Sequence, residues 1–275
     1  MSILEAIIFG MVQGITEFLP ISSTAHIVIT ELLLGYHFPG LAFEIFLHLA
    51  SVLAVSVYFR KDILEIVSGF FAYLLNKSEH NKIQYYFGWY ILTATMITGI
   101  LGLFLKDYIG DSLKTPAFIS ASLFVTGLFL VFIERIKTYG GRTQKDMNFL
   151  DAAIVGLGQS VAILPGISRS GATLVTALWR GLSRDTAVRY SFLLAIPVIL
   201  GSSVLMFDKV SKDIWLEMGI FPLVLSFIVT FIFSWIGIVW LIDFLNKSRL
   251  IYFALYCFTV AILVYFFVDP AMTFD

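Results

Sequence analysis

Ten residues near the amino terminus, Glu17-Phe18-Leu19-Pro20-Ile21-Ser22-Ser23-Thr24-Ala25-His26, set a carboxylate, three hydroxyls and an imidazole inside an apolar run. The pattern returns at Ile163-Leu164-Pro165-Gly166-Ile167-Ser168-Arg169-Ser170-Gly171-Ala172-Thr173, where Leu-Pro and Ile-Ser recur and a guanidinium replaces the carboxylate. Ionisable groups in membrane-depth sequence cost roughly 2.5–3.5 kcal/mol each on insertion scales, so they point to function. Helices starting after Pro20 and after Pro165-Gly166 would offer free N–H groups and positive dipole ends. Ser22, Ser23, Thr24, Ser168, Ser170 and Thr173 add hydroxyl donors, Gly166 and Gly171 permit close backbone approach, and Arg169 adds a fork suited to phosphate oxygens. This is an oxyanion cradle. Glu17 would repel an anion, so it either takes a proton from a nucleophile or water or shares a divalent cation with phosphates. Ser23 and His26 are candidates for the attacking group, with His26 alternatively the acid for a leaving oxygen. A phosphate head with a tail that stays in lipid fits such a cradle.

The elements that must position these groups follow from apolar length. Six segments, 43–59, 86–105, 116–134, 187–206, 219–243 and 250–268, are near the roughly 20 residues that span a bilayer core. Two pairs, 3–17 with 22–34 and 150–163 with 168–180, are too short and break at Leu-Pro, where proline removes a donor and restrains the residue before it. In the first pair Gln13 and Glu17 share a helix face, Ser22 or Ser23 caps the next helix, and Gly35 stops it. Each pair reads as a re-entrant helical hairpin. Three crossings separate them, so they enter from opposite faces. The fold expected is an all-α integral membrane protein, one domain over 1–275, with six full spans, two re-entrant hairpins and two inverted-topology repeats at roughly 1–135 and 145–268. The stretch 60–84 is expected as a loop.

Composition agrees. Of 275 residues, 59% are hydrophobic and 13% charged, with a mean hydropathy of +0.92, beyond the range of a soluble domain. A net charge of −1 and no finger or P-loop pattern argue against nucleic acid. Cys257 is the one cysteine, so no disulfide forms within the chain. The start lacks the basic region of a signal peptide. Stretches 60–85, 135–149, 180–189 and 244–249 hold thirteen Lys and Arg, against Lys106, Lys114, Lys209 and Lys212 on the other side. That asymmetry puts both termini and the first hairpin's mouth outside. Glu44 and His48, one turn apart at the outer end of a span, are too few for a metal site and read as structural. His37 and His80 read as loop residues. The many Phe and Tyr read as lipid-facing, Cys257 as lipid-facing or packing, and Gly127 and Gly156 as close-packing positions.

Both motifs resemble the two signatures of the undecaprenyl-diphosphate phosphatase family of the bacitracin-resistance type, and the likeness extends to Phe43-Glu44 and Ser191-Phe192-Leu193-Leu194-Ala195-Ile196-Pro197. The resemblance implies hydrolysis of a polyprenyl diphosphate to the monophosphate lipid carrier of cell-wall synthesis, at the plasma membrane, with the site open to the outer face. It implies Glu17 as the essential carboxylate and metal ligand, Ser23 and His26 as nucleophile and acid-base pair, and Arg169 as phosphate-binding. Ser22, Thr24, Gly166, Ser168, Ser170, Gly171, Thr173 and Gln13 fall to substrate binding. It also implies a divalent cation, Mg2+ or Ca2+, although Gln13 stands where some members carry a second glutamate. Partners expected are the polyprenyl diphosphate, the bilayer and a second copy in a homodimer, with no nucleic acid. Inverted repeats of broken helices also suit a flippase or secondary transporter.

Overall fold

The computed structural model describes residues 1–35, 42–105, 108, 113–136, 140–206, 218–247 and 249–268. His37, Lys106, Lys137, Lys209 and Lys212 lie outside them. Among the described residues the architecture is all-helical.

Helix α1, Ile3–Phe18, starts at a capping box in which Ser2 Oγ accepts from the Glu5 amide and Glu5 accepts from the Ser2 amide. It stops where Leu19, ahead of Pro20, turns extended. Helix α2, Ser23–Leu34, is capped by Ser22 and closed by Gly35 at φ +66°, whose N–H reaches the Glu31 and Leu32 carbonyls. Each expected break and stop is in place.

Helix α3, Ala42–Tyr58, meets α4, Arg60–Asn76, at a 76° bend. The expected loop at 60–84 is therefore corrected: most of it is helix. Its Leu64, Val67, Phe71 and Leu74 recur at helical spacing and stay exposed, while Asp62 and Glu65 pair with Arg189 at 2.6 and 3.7 Å. The interleaved charges hid an amphipathic helix from a reading that looked for uninterrupted apolar length.

Helices α5 (Lys82–Leu105) and α6 (Pro116–Arg135) precede the second broken pair, α7 (Phe149–Val161) and α8 (Arg169–Trp179). Then come α9 (Arg184–Met206), α10 (Ile220–Lys247) and α11 (Ile251–Phe267). Among the described residues four segments are long and apolar enough to cross a membrane, Glu79–Leu105, Pro116–Arg135, Arg184–Val204 and Ile220–Leu245, and the bent α3–α4 pair makes up to five. With their exposed Leu, Ile and Phe, these make the chain a multi-pass membrane protein. The stretch 250–268 forms α11, whose 17 residues sit at the short end of spanning length.

The open ends of α7 and α8 are tied to one fully buried carboxylate. Arg142 bonds Asp151 at 3.0 and 2.5 Å, and Arg180 Nε bonds it at 2.8 Å. Asn148 caps α7 over the same carboxylate. This clamp keeps the far end of the pair from splaying, which holds the break at the other end in register.

Packing is tight where side chains are absent. At Gly14 an added Cβ would lie 2.7 Å from Phe233 Cβ and from the Thr230 carbonyl of α10, and at Gly10 it would lie 2.8 Å from the Ser226 carbonyl. Backbone-to-backbone approach replaces the hydrophobic drive that lipid does not supply. Gly156 against the Ala94 backbone follows the same rule, and Gly127 leaves room for the Phe258 ring, close-packing positions as expected. Phe9, Phe18, Phe43, Phe87, Phe192 and Tyr190 are fully buried, so these six build the core rather than face lipid. Gly14→Val is expected to cost about 1–3 kcal/mol by overpacking, read as a lower melting temperature in detergent with Gly99→Ala, which meets open space, as the control.

Candidate active site

The two breaks meet. Ser170 Oγ of α8 donates to the Leu19 carbonyl at 2.9 Å, and Arg169 reaches the last turn of α1 to bond Glu17 Oε1 at 2.6 Å. Glu17 Oε2 accepts from Gln13 Nε2 at 2.9 Å and from Ser23 Oγ at 2.6 Å, and His48 Nε2 of α3 lies 3.1 Å from it. The Glu17 side chain is 3% exposed. A carboxylate taken from water costs several kcal/mol, recovered only when a counter-charge and hydrogen bonds fill its lone pairs. Four side chains from four helices, Gln13 of α1, Ser23 of α2, His48 of α3 and Arg169 of α8, fill these.

Local backbone geometry serves this meeting. Ser22 sits at φ +70°, a strained region for a residue with a Cβ, costing on the order of 1–3 kcal/mol. From there its Oγ caps the Ala25 amide and its carbonyl takes the His26 ring. In the second break Gly166 has φ +88°, and a Cβ there would meet Ser122 Cβ at 2.7 Å. Gly171 lies against Ser168 and Pro20, so protein rather than open space flanks both glycines. Ser168 caps α8 at the Gly171 amide and bonds Ser170 Oγ, while its own N–H goes to Thr126 Oγ1. Thr173 donates to the Arg169 carbonyl and shares a short bond with Ser191. Ser22, Ser168, Ser170 and Thr173 are thus buried struts of the two tips, and Thr24 is half-buried beside them.

His26 stands apart from the carboxylate. Its Nδ1 donates to the Ser22 carbonyl at 2.7 Å, so Nε2 accepts from the Tyr256 hydroxyl at 2.8 Å, and the two rings stack at 5.6 Å. The hydroxyl of Ser23 is turned to Glu17, not to His26.

Two buried polar atoms beside Glu17 have no hydrogen-bond partner among the described residues: Arg169 Nη1 and Gln13 Oε1. A free guanidinium nitrogen next to a satisfied one suits a phosphate oxygen. For a divalent cation, no three His, Cys, Asp or Glu side chains gather among the described residues. Gln13 Oε1 is the free hard oxygen beside the carboxylate, of the kind Mg2+ or Ca2+ takes when substrate phosphates and water complete the shell, while both Glu17 oxygens are already bonded.

Sequence reasoning missed His48, Ser191, Thr126 and Tyr256. His48 leaves a signal, an imidazole inside an apolar span, but with Glu44 it reads as structural, and Ser191 stands out only as part of the segment that resembles the family. Glu44 does turn away, bonding the buried Lys114 at 2.6 Å.

Comparison with known proteins now bears on the site. The family described as bacitracin resistance protein BacA matches residues 6–263. The chain belongs to the BacA family. Both breaks of this BacA-family chain lie within the match. A protein of Halalkalibacterium halodurans named undecaprenyl-diphosphatase 2 is 62% identical, over 100% of this chain and 99% of its own. Undecaprenyl-diphosphatase 1 of Shouchella clausii is 55% identical over 98% of each, and undecaprenyl-diphosphatase 3 of Bacillus anthracis 39% over 96% and 97%. Removing one member of the central pair tests how strongly the site binds the fold together. Arg169→Ala leaves the Glu17 charge short of its counter-ion and is expected to cost about 3–5 kcal/mol, with much of the loss in melting temperature recovered in the Arg169→Ala/Glu17→Gln double variant.

Proposed function

We propose that this BacA-family chain hydrolyses undecaprenyl or a similar polyprenyl diphosphate to the monophosphate lipid carrier and inorganic phosphate. The reaction supports lipid-carrier recycling for cell-wall glycans and resistance to bacitracin. The observation that carries the reading is the Glu17 carboxylate, which holds Ser23 by one oxygen and Arg169 by the other while Arg169 Nη1 stays free. A transport site needs the cation. Only hydrolysis needs the hydroxyl delivered to a base.

Ser23 Oγ attacks the terminal phosphorus as Glu17 Oε2 takes its proton, the bond to the bridging oxygen breaks, and the lipid monophosphate departs. Glu17 releases that proton to water and, ionised again, takes one from the water that frees phosphate from Ser23, returning it to Ser23 Oγ. Arg169 and the two helix starts stabilise charge on the phosphoryl oxygens. His26 is the remaining proton-handling group, and with Tyr256 displaced by substrate it would serve the leaving oxygen once Nε2 also carries a hydrogen, since Nδ1–H is held by the Ser22 carbonyl. A bound Mg2+ or Ca2+, held by Glu17 with Gln13 Oε1, would neutralise diphosphate charge.

The same reading takes 1–275 as one transmembrane domain of six spans and two re-entrant hairpins, in inverted repeats at roughly 1–135 and 145–268. The packing supports it: α1 lies on α10 as α7 lies on α5, α3 on α10 as α9 on α5, and α6 pairs with α11. With thirteen basic residues against four, both termini and the site's mouth face outward. A homodimer is part of the proposal.

Phosphate release from a long-chain polyprenyl diphosphate by purified protein is the test. Wild type is expected to be active with Mg2+ or Ca2+ and silent after chelation, and Glu17→Ala or Arg169→Ala to lower the rate about a hundredfold or more. Wild type that binds the lipid but releases no phosphate across metals and pH would favour a flippase or secondary transporter on this scaffold.

A further inference from the structure

The carboxylate at the centre of the site is approached from α3 as well as from the two breaks. His48 Nε2 lies 3.1 Å from Glu17 Oε2, the oxygen that also accepts from Ser23. The other ring nitrogen, Nδ1, is held at 2.6 Å by the Glu44 carbonyl one turn earlier. A carbonyl and a carboxylate both only accept, so Nδ1 and Nε2 each carry a hydrogen in these two contacts, and the ring is fixed in plane and in direction. Glu44 cannot compete for the ring with its side chain, because that carboxylate bonds Lys114 Nζ at 2.6 Å and both are buried. Helix α3 is itself fixed against α10 through Ser51, whose hydroxyl accepts from Ser234 at 2.9 Å. The imidazole is thus a rigid strut with its free edge on one carboxylate oxygen.

We propose that His48 is a positioning residue for the reaction. By presenting Nε2 to Glu17 Oε2 it holds the carboxylate in the rotamer that meets the Ser23 hydroxyl. The resulting order is hydroxyl, carboxylate, imidazole, with the carboxylate in the middle and the imidazole behind it. Arg169 alone does not set this rotamer, because one contact to Oε1 leaves the carboxylate plane free to turn. Gln13 comes from the same helix face as Glu17 and moves with it. Ser23 of α2 is the reacting hydroxyl, so His48 is the contact to Oε2 that comes from outside the first broken pair, and it ties the carboxylate to the body of the bundle. This inference rests on the hydrolytic reading above. A side chain in this role needs a nitrogen-bound hydrogen at the right place, not an imidazole as such.

Steady-state phosphate release by the purified full chain in detergent, with His48→Leu and His48→Gln, is the experiment. Glutamine can place an amide N–H close to where Nε2 lies. His48→Leu is expected to lower kcat about a hundredfold, the scale of a misplaced catalytic group, with KM little changed, and His48→Gln to recover most of the loss. Wild-type kcat in His48→Leu overturns the proposal, as does His48→Gln as slow as His48→Leu. A loss confined to KM overturns it too, since that is what altered lipid binding produces. Failure of the hydrolytic reading shows separately, as a wild type without activity. In that event a double-mutant cycle on melting temperature, with Glu17→Gln and His48→Leu, reads the contact itself: non-additive shifts are expected, and additive ones sink it.

Discussion

A buried carboxylate that must not stand alone organises this protein. Glu17 lies at the end of a helix that proline has cut short, inside a medium with no water to solvate it. Its charge is tolerable because Arg169 arrives from a second interrupted helix 152 residues further along the chain. Neither break is stable by itself. Freed backbone groups in apolar surroundings each cost several kcal/mol, and each tip lends the other what it lacks: Ser170 donates to Leu19, and the guanidinium completes the carboxylate.

The rest of the bundle keeps that meeting in register. At one end of the second pair, Asp151 gathers Arg142 and Arg180 and fixes how α7 and α8 diverge. On the other pair, Gly10 and Gly14 let α1 lie directly on α10, so α1 cannot slide without a clash. Thr126, Ser191 and Ser22 spend their hydrogen bonds on the tips themselves. Most hydroxyls of the two motifs are consumed in this way. Among the buried polar atoms beside Glu17, Arg169 Nη1 and Gln13 Oε1 have no partner among the described residues and are available to a ligand. A site whose polar groups are almost all bonded to one another is pre-organised, and catalysis by electrostatics depends on donors that need not move when charge develops.

Membership in the BacA family and relatives named undecaprenyl-diphosphatases agree with chemistry read from residue types. They do not place His26. In the structure that ring is committed to the Ser22 carbonyl and Tyr256, which separates it from the Ser23 hydroxyl and gives the serine to Glu17 instead. They do not place His48 either, whose ring reaches the same carboxylate from α3.

The amino-acid order by itself determined where the helices break and stop, because proline, glycine and capping serines act within a few residues. It determined the membrane class as well, since bilayer thickness translates directly into apolar length. It also singled out Glu17, Ser23 and Arg169, since charge and hydroxyls in such a sequence have few other reasons to exist. Helix α4 escaped because amphipathic pattern, not apolar length, defines it. What only the tertiary structure decided is which groups touch: that Ser23 turns to Glu17, that His26 turns to Tyr256, and that His48 faces the carboxylate. Those choices depend on how helices distant in sequence rotate and pack, and residue spacing along one chain carries no record of rotation about a neighbour's axis.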